Sequence, residues 1–334
     1  MSNLACPEPG IFCGIDVSAA TLTVAVQPNQ QREFANTASG HKQLIAWLKA
    51  MGPARVSLEA TGIYSLDLAL ALDAAESIQC AVLNPKSVHR FAQTLRRSKT
   101  DKADAQTLAE YSQRMPFVPW QPPSRQALGL RAIGRHIQSL AIQRTRDHNR
   151  LHAAQANASV PPCLLRDLRR SLKTLDQRIG SLRRQARALV GRDAGLHRNF
   201  ELLTGMPGIA EISALNLLGE LAALPAGLSV RQWVAHSGLD PAHQTSGTSV
   251  HKPSRISRAG SRHLRRALYM PALVAARRDP HLSAFYQTLL ARHKAKLQAL
   301  VAVARKMLHA IYGIFKTLTP YDGAKLFPNL IPTS

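Results

Sequence analysis

Four carboxylates in the first third of the chain stand where an acid has chemical consequences. Asp16 follows an apolar run in Gly14-Ile-Asp-Val-Ser18, and Glu59 follows another in Val56-Ser-Leu-Glu-Ala-Thr-Gly62. Asp101 and Asp104 fall in Lys99-Thr-Asp-Lys-Ala-Asp-Ala105, a spacing that sets both on one face at the start of a helix. An acid bounded by apolar residues is costly to bury unless it is paired or binds a cation. Oxygen-only donors suit a hard, octahedral cation such as Mg²⁺. Two such ions can stabilise the attacking and leaving oxygens of a phosphoryl transfer. Each acid also has a plainer account. Asp101 and Asp104 favour the positive end of a helix in any case, and Glu59 equally suits a strand-end surface position. Asp16 is the hardest to explain without a partner.

A second group of reactive side chains lies far along the chain, in a Gly/Ser/Thr-rich insert at residues 237–262. Thr245-Ser-Gly-Thr-Ser249 offers hydroxyls beside a glycine, where backbone and Oγ are open to close approach. Lys252, Arg255, Arg258, Arg262, Arg265 and Arg266 follow, and these cations can neutralise phosphates. Arg262, Arg265 and Arg266 read as a helix start, where Arg can also reach base edges. Such an insert suits either a phosphate-contacting loop or a catalytic one. A bare serine needs a base or a metal to activate it; His243 and His251 are the nearby bases, each equally able to contact phosphate or face solvent. His148 and His152 lack the intervening Glu of a zinc-protease helix and read as surface residues.

The elements that must carry these groups follow from periodicity. Residues 11–17, 22–26 and 32–35 read as strands, 41–51 as a helix, 55–58 as a strand, 63–75 as a helix and 79–83 as a strand, with helices at 87–95 and 102–114. This order predicts an α/β domain, a mixed sheet flanked by helices as in ribonuclease-H-like nucleases, although several α/β folds share it. Residues 115–123 form a proline-rich break. Two long Arg-studded helices are expected at 124–159 and 164–192, as an antiparallel hairpin or a dimer-forming coiled coil. The remainder reads as mostly α-helical. Within it, Gly205-Met-Pro-Gly-Ile209 is either a helix-hairpin-helix turn offering N–H groups to phosphate or an ordinary tight turn. Three regions result: 1–115, 124–195 and 199–325.

Composition sets the class. The chain has 334 residues, 45% of them hydrophobic, and a formal charge of +23. Disorder is thereby excluded and a polyanionic partner favoured. The charge is uneven: residues 90–198 carry a net +15 and residues 251–306 a net +12, whereas residues 1–89 carry −2. Two basic blocks beside a near-neutral N-terminal domain predict nucleic-acid binding. Four scattered cysteines exclude a disulfide scaffold or a Cys-based zinc site. No apolar run reaches the length of a membrane span, and the opening residues lack the pattern of a signal peptide. The expectation is a cytoplasmic protein with no membrane partner.

Taken in order, Gly14-Ile-Asp-Val-Ser18, Leu58-Glu-Ala-Thr-Gly-Ile-Tyr64, Asn84-Pro85 and Lys99-Thr-Asp-Lys-Ala-Asp-Ala105 resemble the DEDD transposases of bacterial insertion sequences, relatives of Piv-type DNA invertases and of bridge-RNA-guided recombinases. Ser254-Arg-Ile-Ser-Arg-Ala-Gly260 and Leu264-Arg-Arg-Ala-Leu-Tyr-Met-Pro-Ala272 match the same family, so the resemblance spans nearly the whole chain. It implies a RuvC-like N-terminal domain in which Asp16, Glu59, Asp101 and Asp104 hold Mg²⁺. It also implies a C-terminal domain whose serine attacks DNA; Ser246 is the matching position and Ser249 the second choice. Further implications are a noncoding guide RNA, a dimer or tetramer joining carboxylates and serine across subunits, and a nucleoid-associated place in a bacterial cytoplasm. Two other readings remain open: a Mg²⁺-dependent nuclease or junction resolvase using water alone, and a DNA-binding protein without catalysis.

Overall fold

The computed structural model describes residues 10–28, 30–60, 62, 64–95, 100–246 and 250–327, with the side chains of 243–254 excepted. The chain divides between Pro122 and Pro123 into two compact units.

In chain order the first unit contains β1 (Ile11–Val17), β2 (Thr21–Val26), β3 (Gln30–Ala35), α1 (Ala38–Met51), β4 (Ala54–Glu59), α2 (Leu66–Asp73), β5 (Ile78–Leu83), α3 (Pro85–Leu95) and α4 (Asp101–Arg114). The strands form one mixed sheet in the order β3-β2-β1-β4-β5. β1 runs antiparallel to β2 and parallel to β4, and β4 runs parallel to β5. Alternation assigns the two faces. Cys13, Ile15 and Val17 join Leu22, Val24, Val56 and Leu58 in a core with Leu44 and Leu48 of α1 and Leu68 and Leu72 of α2. The intervening residues Gly14 and Asp16 of β1, with Ser57 and Glu59 of β4, belong to the other face, which α4 covers.

The contact between α4 and β1 depends on Gly14. A Cβ there would lie 2.2 Å from the Ala105 carbonyl oxygen and 2.3 Å from the Ala109 nitrogen. Backbone therefore meets backbone, and no side chain fits between helix and strand. Thr100 fixes where the helix begins, its hydroxyl accepting from the Ala103 N–H at 3.2 Å. Such a cap typically stabilises a helix by about 1 kcal/mol.

The second unit contains α5 (Arg125–Gln155), α6 (Pro162–Gly191), α7 (Ala194–Thr204), α8 (Glu211–Leu221), α9 (Val230–Ser237), β6 (Pro241–Ser246), β7 (Val250–Ile256), α10 (Arg262–Arg278), α11 (Pro280–Ala291), α12 (Lys296–Thr317) and α13 (Gly323–Leu326). A mixed sheet with helices followed by a mostly helical remainder is the fold class expected from the sequence. Two details differ. The long helices do not form a separate region: Leu130 of α5 and Ala186 and Val190 of α6 are buried in one core with Leu203, Leu218, Leu268 and Met307. Apolar spacing shows that a helix buries a stripe, but not which surface receives it. The insert at 237–262 is also not irregular throughout, because β6 and β7 pair as an antiparallel hairpin with a register shift between Ala242 and Gln244. Its small polar residues lack the apolar alternation that marks a strand.

Substituting Gly14 with Val is expected to lift α4 from the sheet and destabilise the first unit by roughly 3 kcal/mol or more. Thermal unfolding of the full chain would show an early transition, and an unchanged profile would contradict the packing described.

Candidate active site

Asp16 and Glu59 occupy equivalent places at the ends of neighbouring parallel strands. The register pairs Ile15 with Leu58, so each acid lies one residue beyond that pair. Both are half-buried, and strand alternation sets both on the α4 face. The two helical acids reach the same place by matched geometry. Gly14 lies against Ala105; Asp16 is two strand residues, about 7 Å, further on, and Asp101 is four helical residues, about 6 Å, back along α4. Asp104 is half-buried and Asp101 exposed at this helix start.

The electrostatics show the convergence. Burial, reinforced by the negative charges of Asp104, Asp101 and Glu59, pushes the Asp16 carboxyl up from the ordinary carboxylate value of 3.8 to about 6, against an opposing hydrogen bond from the Val17 backbone. All four acids singled out in the sequence thus act within one field. Oxygen donors under mutual repulsion fit a hard divalent cation. Among the described residues, no three His, Cys, Asp or Glu side chains close into a metal-holding group.

In the second unit, the hairpin is tied at its base. Ser257 N donates to Asp240 O at 2.8 Å, Arg258 N to Gly238 O at 3.2 Å and Ser261 N to His236 O at 2.6 Å. Ser246 ends β6, where it pairs with Val250, and Lys252 lies in β7; Ser249 lies outside the described residues. Arg255, Arg258, Arg262 and Arg266 are exposed. Arg265 differs, since its Nη1 donates to Ser237 O at 2.9 Å and Gly260 O at 3.1 Å, anchoring α10 to the hairpin base.

Sequence reasoning missed Glu220 of α8. Its carboxylate accepts from Arg135 Nε at 2.6 Å and Nη2 at 3.1 Å, and from the Ser261 hydroxyl at 2.8 Å. Burial opposes its charge, but the Arg135 hydrogen bond and charge, with Ser261 and His263, hold it below the usual carboxylate range. Three segments, α5, α8 and the cap of α10, are thereby joined beside the hairpin. The sequence signal was an acid in the last turn of a largely apolar helix. The turn at 205–210 serves packing: a Cβ on Gly208, whose φ is +88°, would lie 2.5 Å from the Pro271 carbonyl oxygen. Within that turn Gly205, Met206 and Ile209 already donate their N–H groups to chain carbonyls.

Comparison with known proteins identifies the family. A DEDD transposase model of the IS110 type matches residues 13–156, and a transposase model of the IS116/IS110/IS902 family matches residues 200–287. The chain belongs to this transposase family. Its members are enzymes that cleave and rejoin DNA, so DNA is the substrate. The pilin gene-inverting protein of Moraxella bovis is 29% identical over 322 residues, covering 93% of this chain and 97% of that protein. Its counterpart from Moraxella lacunata is 28% identical with the same coverage. An uncharacterized 43.6 kDa protein of insertion element IS110 from Streptomyces coelicolor is 29% identical over 155 residues, covering 45% of this chain and 37% of that one. None of the transposase's helices, among the described residues, is long and apolar enough to cross a membrane.

Because the folded protein holds the Asp16 proton more tightly than the unfolded chain, metal-free stability should fall as pH rises from about 4 to about 6. Asp16→Asn is expected to flatten that slope and to stabilise the metal-free transposase at pH 7 by about 1–2 kcal/mol. Thermal unfolding in chelator across this range provides the check, and a variant less stable than wild type at pH 7 would contradict the shared field.

Proposed function

We propose that the transposase cleaves DNA by direct attack of the Ser246 hydroxyl on a phosphate held at the four carboxylates. The observation that carries this reading is the common field of Asp16, Glu59, Asp101 and Asp104, an anionic site in a protein whose substrate is itself anionic. Such a site needs a cation before it can approach a phosphate. Asp16, Glu59, Asp101 and Asp104 are the residues that would hold Mg²⁺, which supplies positive charge at the scissile phosphate.

In the proposed step, the Ser246 oxygen forms a bond to phosphorus as the bond to the 3′ oxygen breaks. The serine proton passes, through solvent or a base, to that departing oxygen. The product is a 5′-phosphoserine ester, which retains the energy of the phosphodiester and permits rejoining without an external energy source. The Moraxella relatives are named for inverting a gene, an outcome that requires cut strands to be rejoined in a new order. Rejoining favours a covalent intermediate over release of DNA by water. In the working assembly, a dimer or tetramer, carboxylates of one subunit serve the serine of another.

Sequence choice is assigned to a noncoding RNA pairing with element ends and target, while the protein contacts backbone shape. The net +15 of residues 90–198, much of it on α5 and α6, supports binding of a nucleic-acid backbone. Exposed Arg255, Arg258, Arg262 and Arg266 are placed to contact phosphate beside the hairpin, with Lys252 on β7 contributing charge.

The test uses the full chain with DNA spanning the element's junction, its flanking RNA and Mg²⁺. Wild type is expected to yield a protein–DNA adduct on a denaturing gel. Ser246→Ala should yield none, and persistence of the adduct would refute the assignment. Cleavage by wild type without any adduct would establish the water-using nuclease instead. Asp16→Ala should lower cleavage by roughly 100-fold or more while leaving DNA affinity near wild type. Arg255→Ala should weaken binding and reduce the slope of log affinity against log salt by about 1.

A further inference from the structure

A cleft of about 500 Å³ opens in the first unit, lined among others by Asn36, His41, Lys42, Ile45, Tyr64 and Asp67. The transposase chemistry described above makes no use of it. It lies against α1 and α2, on the sheet face opposite α4, but at the same end of the strands as the carboxylates. Ala19, also in its wall, is three residues past Asp16, at most about 11 Å along the chain. Tyr64 belongs to the segment that follows Glu59.

Asn36 joins these two segments. Its amide nitrogen donates to the Ser18 carbonyl at 2.8 Å and to the Tyr64 carbonyl at 3.2 Å. Its amide oxygen is 2.8 Å from His41 Nε2, and His41, near the start of α1, is buried. A single side chain therefore holds the segment after β1 to the segment after β4. Tyr64 nevertheless keeps 49% of its surface exposed, an unusual position for an aromatic ring in the wall of a cavity. The rim carries one exposed cation, Lys42, and one exposed carboxylate, Asp67.

We propose that this cleft receives one unstacked base of the DNA strand being cut, with the phenol of Tyr64 stacking on the base beside the carboxylate site. Every base presents a π face, so stacking needs no particular sequence. Asp67 can accept from an exocyclic amine, as carboxylates do from cytosine, and Lys42 can neutralise the phosphate of the same nucleotide. A base drawn from the stack fixes the backbone next to it, and thus the register of the scissile phosphate on the carboxylates. This assignment rests on the DNA-cleaving reading, and its test separates the two.

Full-length protein is bound, with the flanking RNA, to junction DNA carrying 5-iodouracil at successive positions around the cleaved bond, then irradiated. Iodouracil joins covalently to an aromatic ring stacked on it. The expected result is a crosslink to Tyr64, identified by mass spectrometry, from one position within a few nucleotides of the cut. Tyr64→Phe should retain the crosslink. Tyr64→Ala should lose the crosslink and lower cleavage about tenfold or more, and Asn36→Ala should weaken both. Asp16→Asn should keep the crosslink while abolishing cleavage. Cleavage by wild type with crosslinks only elsewhere, or wild-type cleavage by Tyr64→Ala, would overturn the cleft's role. A Tyr64 crosslink in a protein that cuts no DNA would overturn the catalytic reading alone.

Discussion

The first unit depends on one backbone contact, the seating of α4 directly on β1 at Gly14. A helix normally stands off a sheet by the thickness of interdigitating side chains. Here the Ala105 carbonyl and the Ala109 nitrogen occupy the space a Cβ would fill. That approach brings the first turn of α4 beside the end of β1, where Asp101 and Asp104 join Asp16 and, across the parallel pair, Glu59. The price is electrostatic, since three like charges are gathered around a half-buried carboxylate. The positive end of α4 offsets part of that repulsion, and Leu108 and Ala109 are buried further along the helix. The strain is localised where a cation and a phosphate would relieve it.

The second unit solves the opposite problem, placing the buried acid Glu220 beside cations. Glu220 accepts from Arg135 and Ser261, so the helix carrying Arg262 and Arg266 is oriented by a charge-assisted network rather than by apolar packing alone. Its carboxylate is 7% exposed, and a buried carboxylate with one bidentate Arg tolerates few alternative geometries. Ser261 both caps α10 and binds Glu220. The base of the hairpin and the start of the basic helix therefore move as one piece.

The sheet, the helix bearing Asp101 and Asp104, and the long basic helices were legible because their signals are periodic and local. Asp16 and Glu59 were legible because charged residues at the ends of apolar strands have few inexpensive roles. The roles of Gly14, Glu220 and Asn36 were not legible. Each acts through a partner more than fifteen residues away, and nothing in the residue itself names that partner. The strands of the hairpin were hidden for another reason. Ala242, Gln244, Thr245 and Ser246 satisfy a ladder of backbone bonds without the apolar alternation that would have announced it.

The hairpin has one further property. From Asp240, where the chain is tied down, β6 carries Ser246 six residues outward, a span of roughly 20 Å. The backbone of Ser246 is thus carried at a reach set by residue count along the ribbon. Removing a pair of residues from each strand would shorten the ribbon by about 7 Å and keep the alternation of its faces. Removing a single one would reverse that alternation. Even-numbered insertions or deletions in this ribbon therefore change its reach alone, and odd ones its facing as well, except where a register shift such as that between Ala242 and Gln244 takes up the extra residue.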